Sequence, residues 1–338
     1  MTRLSYRAGL AKIGVPAGAN QSYLAFTSRP KSLRTAIASM DYPASSDWSE
    51  PQDIYRDESW TDEVQGIAWD GGHWIFSTNA NQAKPGSNHK AIYVFPSHSD
   101  LKDNSWSQMI AYKDIPHPSV GVEEHEGDDH WGQITYYQGH VYVSHFWDNP
   151  HFPNTCQVLV LNDNGGTLSY SHWIKLKYPV SPRPPHRTDR AEFQAINPWD
   201  GMIYTCFGDG EISEFFIHDP KDGSFTGKVL PLTPPVRAVQ GACFSPNGHL
   251  YISTNDNPPG DSKHQMIYYH SALNGHRLGQ IPVLTLEGGD ELEGICYAPL
   301  IAPSAEKVWI HATLLENRDI SLDNIFLKQW ACARPEVI

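Results

Sequence analysis

The densest run of chemistry-bearing side chains is EEHEGDDHWGQ at residues 123–133, which sets His125, Asp128, Asp129 and His130 immediately before a strand-like stretch. Imidazole titrates near neutral pH, and a neighbouring carboxylate orients it and sets its tautomer. His130 and the later His145 are therefore candidate proton carriers, with Asp129 beside the first; a solvated loop is the simpler reading of any one of them alone. The pair His125 and His130 spans a glycine, unlike the helical H-E-x-x-H zinc pattern in which two His share one face. A second run, Asp290, Glu291 and Glu293, crowds carboxylates, and like charges held close invite either a cation or a raised pKa. Glu291 is the acid–base candidate there. Glu293 with Asn255, Asp256 and Asn79 offers a hard, oxygen-rich set suited to Ca²⁺, Mg²⁺ or Mn²⁺.

Other side chains read as ligand contacts. Arg190 and Arg237 suit an anionic group on a ligand, an ion pair with Glu192 being the plainer account. Trp147, with Trp131, Phe146, Phe152 and Trp199, could stack on a sugar or a flat ligand, where packing between elements is the alternative. No Gly-x-Ser-x-Gly elbow, Walker motif or dinucleotide glycine pattern is present, so covalent serine chemistry and a nucleotide cofactor are not indicated. The five cysteines are scattered without C-x-x-C spacing, which speaks against a disulfide framework and against structural zinc.

What must position these groups is a repeat. VQGIAWDGGHWIFSTN (residues 64–79), WGQITYYQGHVYVSHF (131–146), FQAINPWDGMIYTCFG (193–208), VQGACFSPNGHLYISTN (239–255) and LEGICYAPLIAPSAEKVWIHATL (292–314) each read as a short strand, a tight turn and a second strand. The markers Gln65, Gln133, Gln194, Gln240 and Glu293 recur at intervals of 46 to 68 residues, room for four strands per repeat. The spacing predicts an all-β, six-bladed β-propeller as one domain over residues 1–338, with five blades as the alternative. Residues 22–29 and 35–57 supply the sixth, degenerate blade, and residues 4–10 close the ring against the last repeat, joining N- and C-terminal strands. Strand starts and second-strand ends then meet on one face. There Gln65, Gln133, Gln194 and Gln240 are substrate-binding candidates, and His73, His140 and His249 fall on the opposite face as structural residues.

The stretches 240–255 and 293–297 resemble those of the broad β-propeller superfamily that includes lactonases and gluconolactonases, strictosidine-synthase-like proteins and phytase-like propellers. By that resemblance, lactonases hold a metal with Glu, Asn and Asp at the channel mouth, which match Glu293, Asn255 and Asp256. The family's N-terminal Glu-Gly element has no counterpart in the first blade.

Composition narrows the partners. The net charge is −13, and no Lys/Arg cluster could neutralise a phosphate backbone, which argues against nucleic acid and anionic membranes. No apolar run is long enough for a signal peptide or a membrane span, so the chain reads as cytoplasmic. With 26 Gly, 26 Pro and only 19% charged residues, short strands joined by turns are favoured over long helices. The mouth residues and loops differ from blade to blade, which favours one central site. The expected function is an enzyme acting on a small molecule at that mouth, a hydrolase or lyase of lactonase-like type using metal-assisted or acid–base chemistry. The alternative is a non-catalytic propeller that binds carbohydrate or a protein partner.

Overall fold

The computed structural model describes residues 38–40, 60, 63–79, 90–97, 101, 106–116, 129–147, 156–177, 193–206, 210–245, 248–257, 264–285, 290–301, 307–316 and 324–331. Among these residues the strands form five antiparallel sheets of four strands. Blade 1 holds β2 (Val64–Trp69), β3 (His73–Thr78), β4 (Ala91–Pro96) and β5 (Gln108–Ala111). Blade 2 holds β6 (Asp129–Tyr137), β7 (His140–Trp147), β8 (Gln157–Asp163) and β9 (Leu168–Lys175). Blade 3 holds β10 (Ala195–Ile196), β11 (Ile203–Thr205), β12 (Ile212–His218) and β13 (Phe225–Val236). Blade 4 holds β14 (Val239–Phe244), β15 (His249–Thr254), β16 (His264–Ser271) and β17 (Arg277–Leu284). Blade 5 holds β18 (Glu291–Ile301), β19 (Lys307–Glu316) and β20 (Asn324–Ala331), and takes β1 (Ala38–Met40) as its outermost strand.

The blade count is therefore five, the alternative in the sequence reading, and not six. The reason is a strand that changes allegiance. Ala38–Met40 lies within the stretch read as a sixth blade, yet it pairs with β20 through Ala38 opposite Ala331 and Met40 opposite Gln329. Closure between N- and C-terminal strands holds in kind, with this strand in the role foreseen for residues 4–10. Those residues, residues 22–29 and the rest of 35–57 lie outside the described set.

Five apolar clusters fill five blade-to-blade junctions. Ile75, Val94, Trp131 and Val143 join blades 1 and 2; Val158, Ile174, Ile196 and Ile203 join blades 2 and 3. Phe215, Val236, Leu250 and Ile252 join blades 3 and 4, and Tyr251, Ile281, Ile295 and Ile310 join blades 4 and 5. Trp60, Phe76, Phe95, Leu315 and Leu327 close the ring between blades 1 and 5. Strands in the interior of a sheet are packed on both faces, so they read as unbroken apolar runs such as AIYVF of β4. Outer strands alternate, as β9 and β17 do. The long edge strand β13 carries Pro231, Pro234 and Pro235, which cannot donate to an added strand.

One local device sets the site. In β2 and β14 the register shifts so that Gln65 and Gln240 are each an extra residue facing no partner of their own, and in β18 the shift falls between Leu292 and Ile295, the stretch that holds Glu293. A bulge of this kind bends the strand and re-aims the side chain. In β6 the shift falls between Trp131 and Ile134. Counting back from Ile67, Ile134, Ala242 and Ile295, which hold equivalent pairings, Gln133 is level with Gly66, Gly241 and Gly294. It is thus one step out of phase with Gln65, Gln240 and Glu293.

Candidate functional site

The face formed by inner-strand starts and second-strand ends is held by backbone closure. The Asn79 amide donates to the Glu63 carbonyl at 2.8 Å, and the Asn255 amide to the Ala238 carbonyl at 2.9 Å. Glu63 and Ala238 reach these positions with φ of 51° and 46°, left-handed conformations unusual outside glycine. The two asparagines then span junctions. Asn79 Nδ2 donates to the Trp131 carbonyl and its Oδ1 accepts from the Trp131 N–H, both at 2.8 Å, while Asn255 Oδ1 accepts from the Leu292 N–H at 2.8 Å.

This geometry bears directly on the oxygen set offered as metal ligands. Asn79 sits at the junction of blades 1 and 2 and Asn255 at that of blades 4 and 5, each engaged with backbone. Asp256 Oδ2 accepts a hydrogen bond from the Tyr268 hydroxyl at 3.2 Å, in line with burial and the Asp256 charge raising the Tyr268 pKa. Glu293 is buried, at 2% exposure. Asn79 and Asn255 thus serve different junctions, and among the described residues no group of three or more His, Cys, Asp and Glu side chains is placed to hold a metal ion.

Three consecutive blades, 5, 1 and 2, bring unlike groups to the mouth. From blade 5 come the half-buried Glu291, the buried Glu293, and Asp290, whose carbonyl accepts from Gln265 Nε2 at 2.5 Å. From blade 1 comes Gln65, 7% exposed, whose Oε1 lies 3.0 Å from Nε2 of His130 on blade 2. The His130 ring stacks on Phe146 at 5.1 Å. With Gln65 Oε1 accepting, Nε2 is the donor nitrogen, and a neutral ring of that tautomer carries its lone pair on Nδ1. Asp129 and Trp147 are paired across the mouth ends of β6 and β7.

The remaining predicted residues sit elsewhere. His145 is fully buried, stacked on Tyr112 at 5.7 Å and edge-on to Trp173 at 5.3 Å, so it belongs to the wall between blades 1 and 2 and not to the mouth beside His130. Gln194 ties blade 3 to blade 2 through Nε2 and the Tyr142 carbonyl at 2.7 Å. Gln240 is half-buried on its bulge. Arg237 is exposed and its guanidinium pairs with Glu211 at 3.1 Å, a different partner from the expected Glu192. Arg190 lies outside the described residues. Trp131 is core, and Trp199 occupies the hairpin turn between β10 and β11, on the face opposite the mouth. On that opposite face His73 Nδ1 meets Asp70 Oδ2 at 2.9 Å, and His249 is buried.

Sequence reasoning missed the two Asn clasps as clasps and missed the phase of Gln133. The signal for the latter was present: aligning the repeats on the apolar residue after the marker exposes the one-residue offset.

No family model matches the chain, and no curated protein matches it. Solved structures do resemble it. A GH43 β-1,3-galactosidase bound to galactodeoxynojirimycin aligns over 82% of this chain and 94% of its own, with TM-score 0.52 and 12% identity. An exo-β-1,3-galactanase from Phanerochaete chrysosporium with β-1,3-galactotriose aligns over 87% of this chain and 63% of its own, with TM-score 0.50 and 12% identity. At such identity the likeness establishes the architecture: a five-bladed β-propeller of the kind seen in GH43 glycoside hydrolases. These neighbours give no support to the lactonase-like branch of the earlier resemblance.

Proposed function

We propose that the chain is a carbohydrate-directed hydrolase whose single site is the channel mouth framed by blades 5, 1 and 2, working by acid–base chemistry. The observation that carries this reading is the contact between Gln65 and His130 across one junction, with Glu291 on the next blade round. Glycosidic bonds are cleaved by two carboxyl groups placed on either side of the scissile bond: one protonates the leaving oxygen and the other activates water or attacks carbon. Glu291 and Asp129, on blades 5 and 2 with blade 1 between them, are the pair we assign, with His130 orienting a sugar hydroxyl or the attacking water. Gln65 serves as a hydroxyl ligand. A small-molecule lactone or a lyase reaction finds no equivalent support, and the fold likeness to a galactanase crystallised with β-1,3-galactotriose favours sugars.

The test is a panel of β-1,3-galactan, arabinan and xylan oligosaccharides with product analysis. Cleavage of at least one, reduced about 100-fold or more in Glu291→Gln and Asp129→Asn, supports the assignment. Binding without cleavage by the wild type points instead to a non-catalytic carbohydrate-binding propeller.

A further inference from the structure

The geometry points to Gln133 as an axial staple: one carboxamide that crosses the centre of the ring, closes the channel beneath the mouth and fixes the acidic strand β18 against blade 2. Blades 2 and 5 are not neighbours in the ring, yet Gln133 Nε2 donates to the Ile295 carbonyl at 2.6 Å and Oε1 accepts from the Ile295 N–H at 3.1 Å. The same Nε2 lies 2.9 Å from the Ile134 carbonyl and 3.4 Å from that of Ile67 on blade 1. The side chain is fully buried.

Blades 1, 4 and 5 carry glycine at the same level, and the space explains why. A Cβ on Gly241 would stand 3.0 Å from Gln133 Oε1, and one on Gly294 would stand 2.6 Å from the Ile67 nitrogen. A Cβ on Gly66 would meet the Gly132 carbonyl and the Ile134 nitrogen at 2.7 Å. These three glycines leave the space on the axis that the Gln133 side chain fills. Ile295 follows Glu293 by two residues and Glu291 by four, so the staple anchors the strand that carries both carboxylates. Its bearing on catalysis rests on the function proposed above, with Gln133 a positioning residue that does not touch substrate. The staple itself does not rest on that function.

The test is chemical rescue. Gln133→Gly removes the ethyl carboxamide, and propionamide has the shape and hydrogen-bonding groups to replace it. The variant should melt about 5 °C or more below wild type, and propionamide should raise its Tm while leaving wild type unmoved. Gln133→Met, of similar length without the amide, should melt low as well and gain nothing from propionamide. A Gln133→Gly or Gln133→Met protein that melts with the wild type overturns the inference, as does a Gln133→Gly protein indifferent to propionamide. Should neither variant fold, hydrogen exchange on the wild type decides: the Ile295 amide must exchange only through global unfolding, and fast exchange contradicts the staple. Loss of all glycosidase activity in the wild type would refute the proposed function and leave these outcomes unchanged.

Discussion

Asn79 grips the backbone of Trp131 with both ends of its carboxamide, donating from Nδ2 and accepting at Oδ1 at 2.8 Å each, so that the last residue after β3 in blade 1 acts as a missing strand partner for the first turn of β6 in blade 2. Asn255 repeats the accepting half of this contact with Leu292 between blades 4 and 5. Because Trp131 is buried, truncating the clasp strands a peptide N–H and C=O away from water. Asn79→Ala should lower stability by about 2–4 kcal/mol, and Asn255→Ala, with one bond fewer, by about half as much. Urea denaturation of the two variants against wild type measures this, and equal, negligible losses would remove the clasp.

Three buried histidines set a pH limit on stability. Burial lowers the pKa of His249, His270 and His311 to about 4 each; the Gly275 carbonyl at His270 and the Ala298 carbonyl at His311 partly oppose the effect. In the unfolded chain a histidine titrates near 6.5. Between these values the unfolded state binds more protons than the folded one, so stability is full above about pH 6.5 and falls as pH drops towards 4. The loss amounts to at most about 3 kcal/mol per histidine. Thermal melts from pH 7.5 to 4.5 should show a steady decline, and His249→Phe should flatten it, because neither ring nitrogen of His249 has a hydrogen-bond partner among the described residues.

Glycine positions separate by what surrounds them. Gly294 on β18 faces the Ile67 nitrogen and Gly66 Cα within 2.7 Å of a would-be Cβ, so Gly294→Ala must push blade 5 off blade 1. A loss of about 3 kcal/mol or a failure to fold is expected. Gly139 has open space, and only its φ of 78° penalises alanine. Gly139→Ala should cost about 1–2 kcal/mol, as for any left-handed residue. Comparing the two denaturation midpoints checks the account of inner-strand crowding.

Arg237 gives a control on the surface. Its ion pair with Glu211 is exposed, and exposed pairs contribute roughly 0–1 kcal/mol. Arg237→Ala should leave both melting temperature and oligosaccharide binding essentially unchanged. A large loss of binding would return Arg237 to the ligand site.

The repeat was legible because each inner hairpin repeats an apolar strand, a turn and a second apolar strand, which the ring turns into junction cores. The number of blades was less so, since β1 has only three residues and its partner β20 is nearly three hundred residues away; nothing local in Ala38–Met40 declares that pairing. At the site, residue type indicated polarity but not direction. Gln65 and Gln194 look alike in the repeat, yet one reaches His130 across the mouth and the other bonds the Tyr142 carbonyl. His145 seemed a twin of His130, but alternation along β7 turns it into the wall beside Tyr112 and Trp173. Bulges, which shift one residue out of alternation, decide such outcomes and leave little trace in composition.

Calorimetric titration of a cleaved or bound oligosaccharide into wild type, Gln65→Ala and Glu291→Gln addresses the central claim most directly. One site per chain, weakened at least tenfold by Gln65→Ala and kept by Glu291→Gln while turnover is lost, is the result predicted for a single mouth. Several equivalent sites per chain, or binding indifferent to both substitutions, would contradict it.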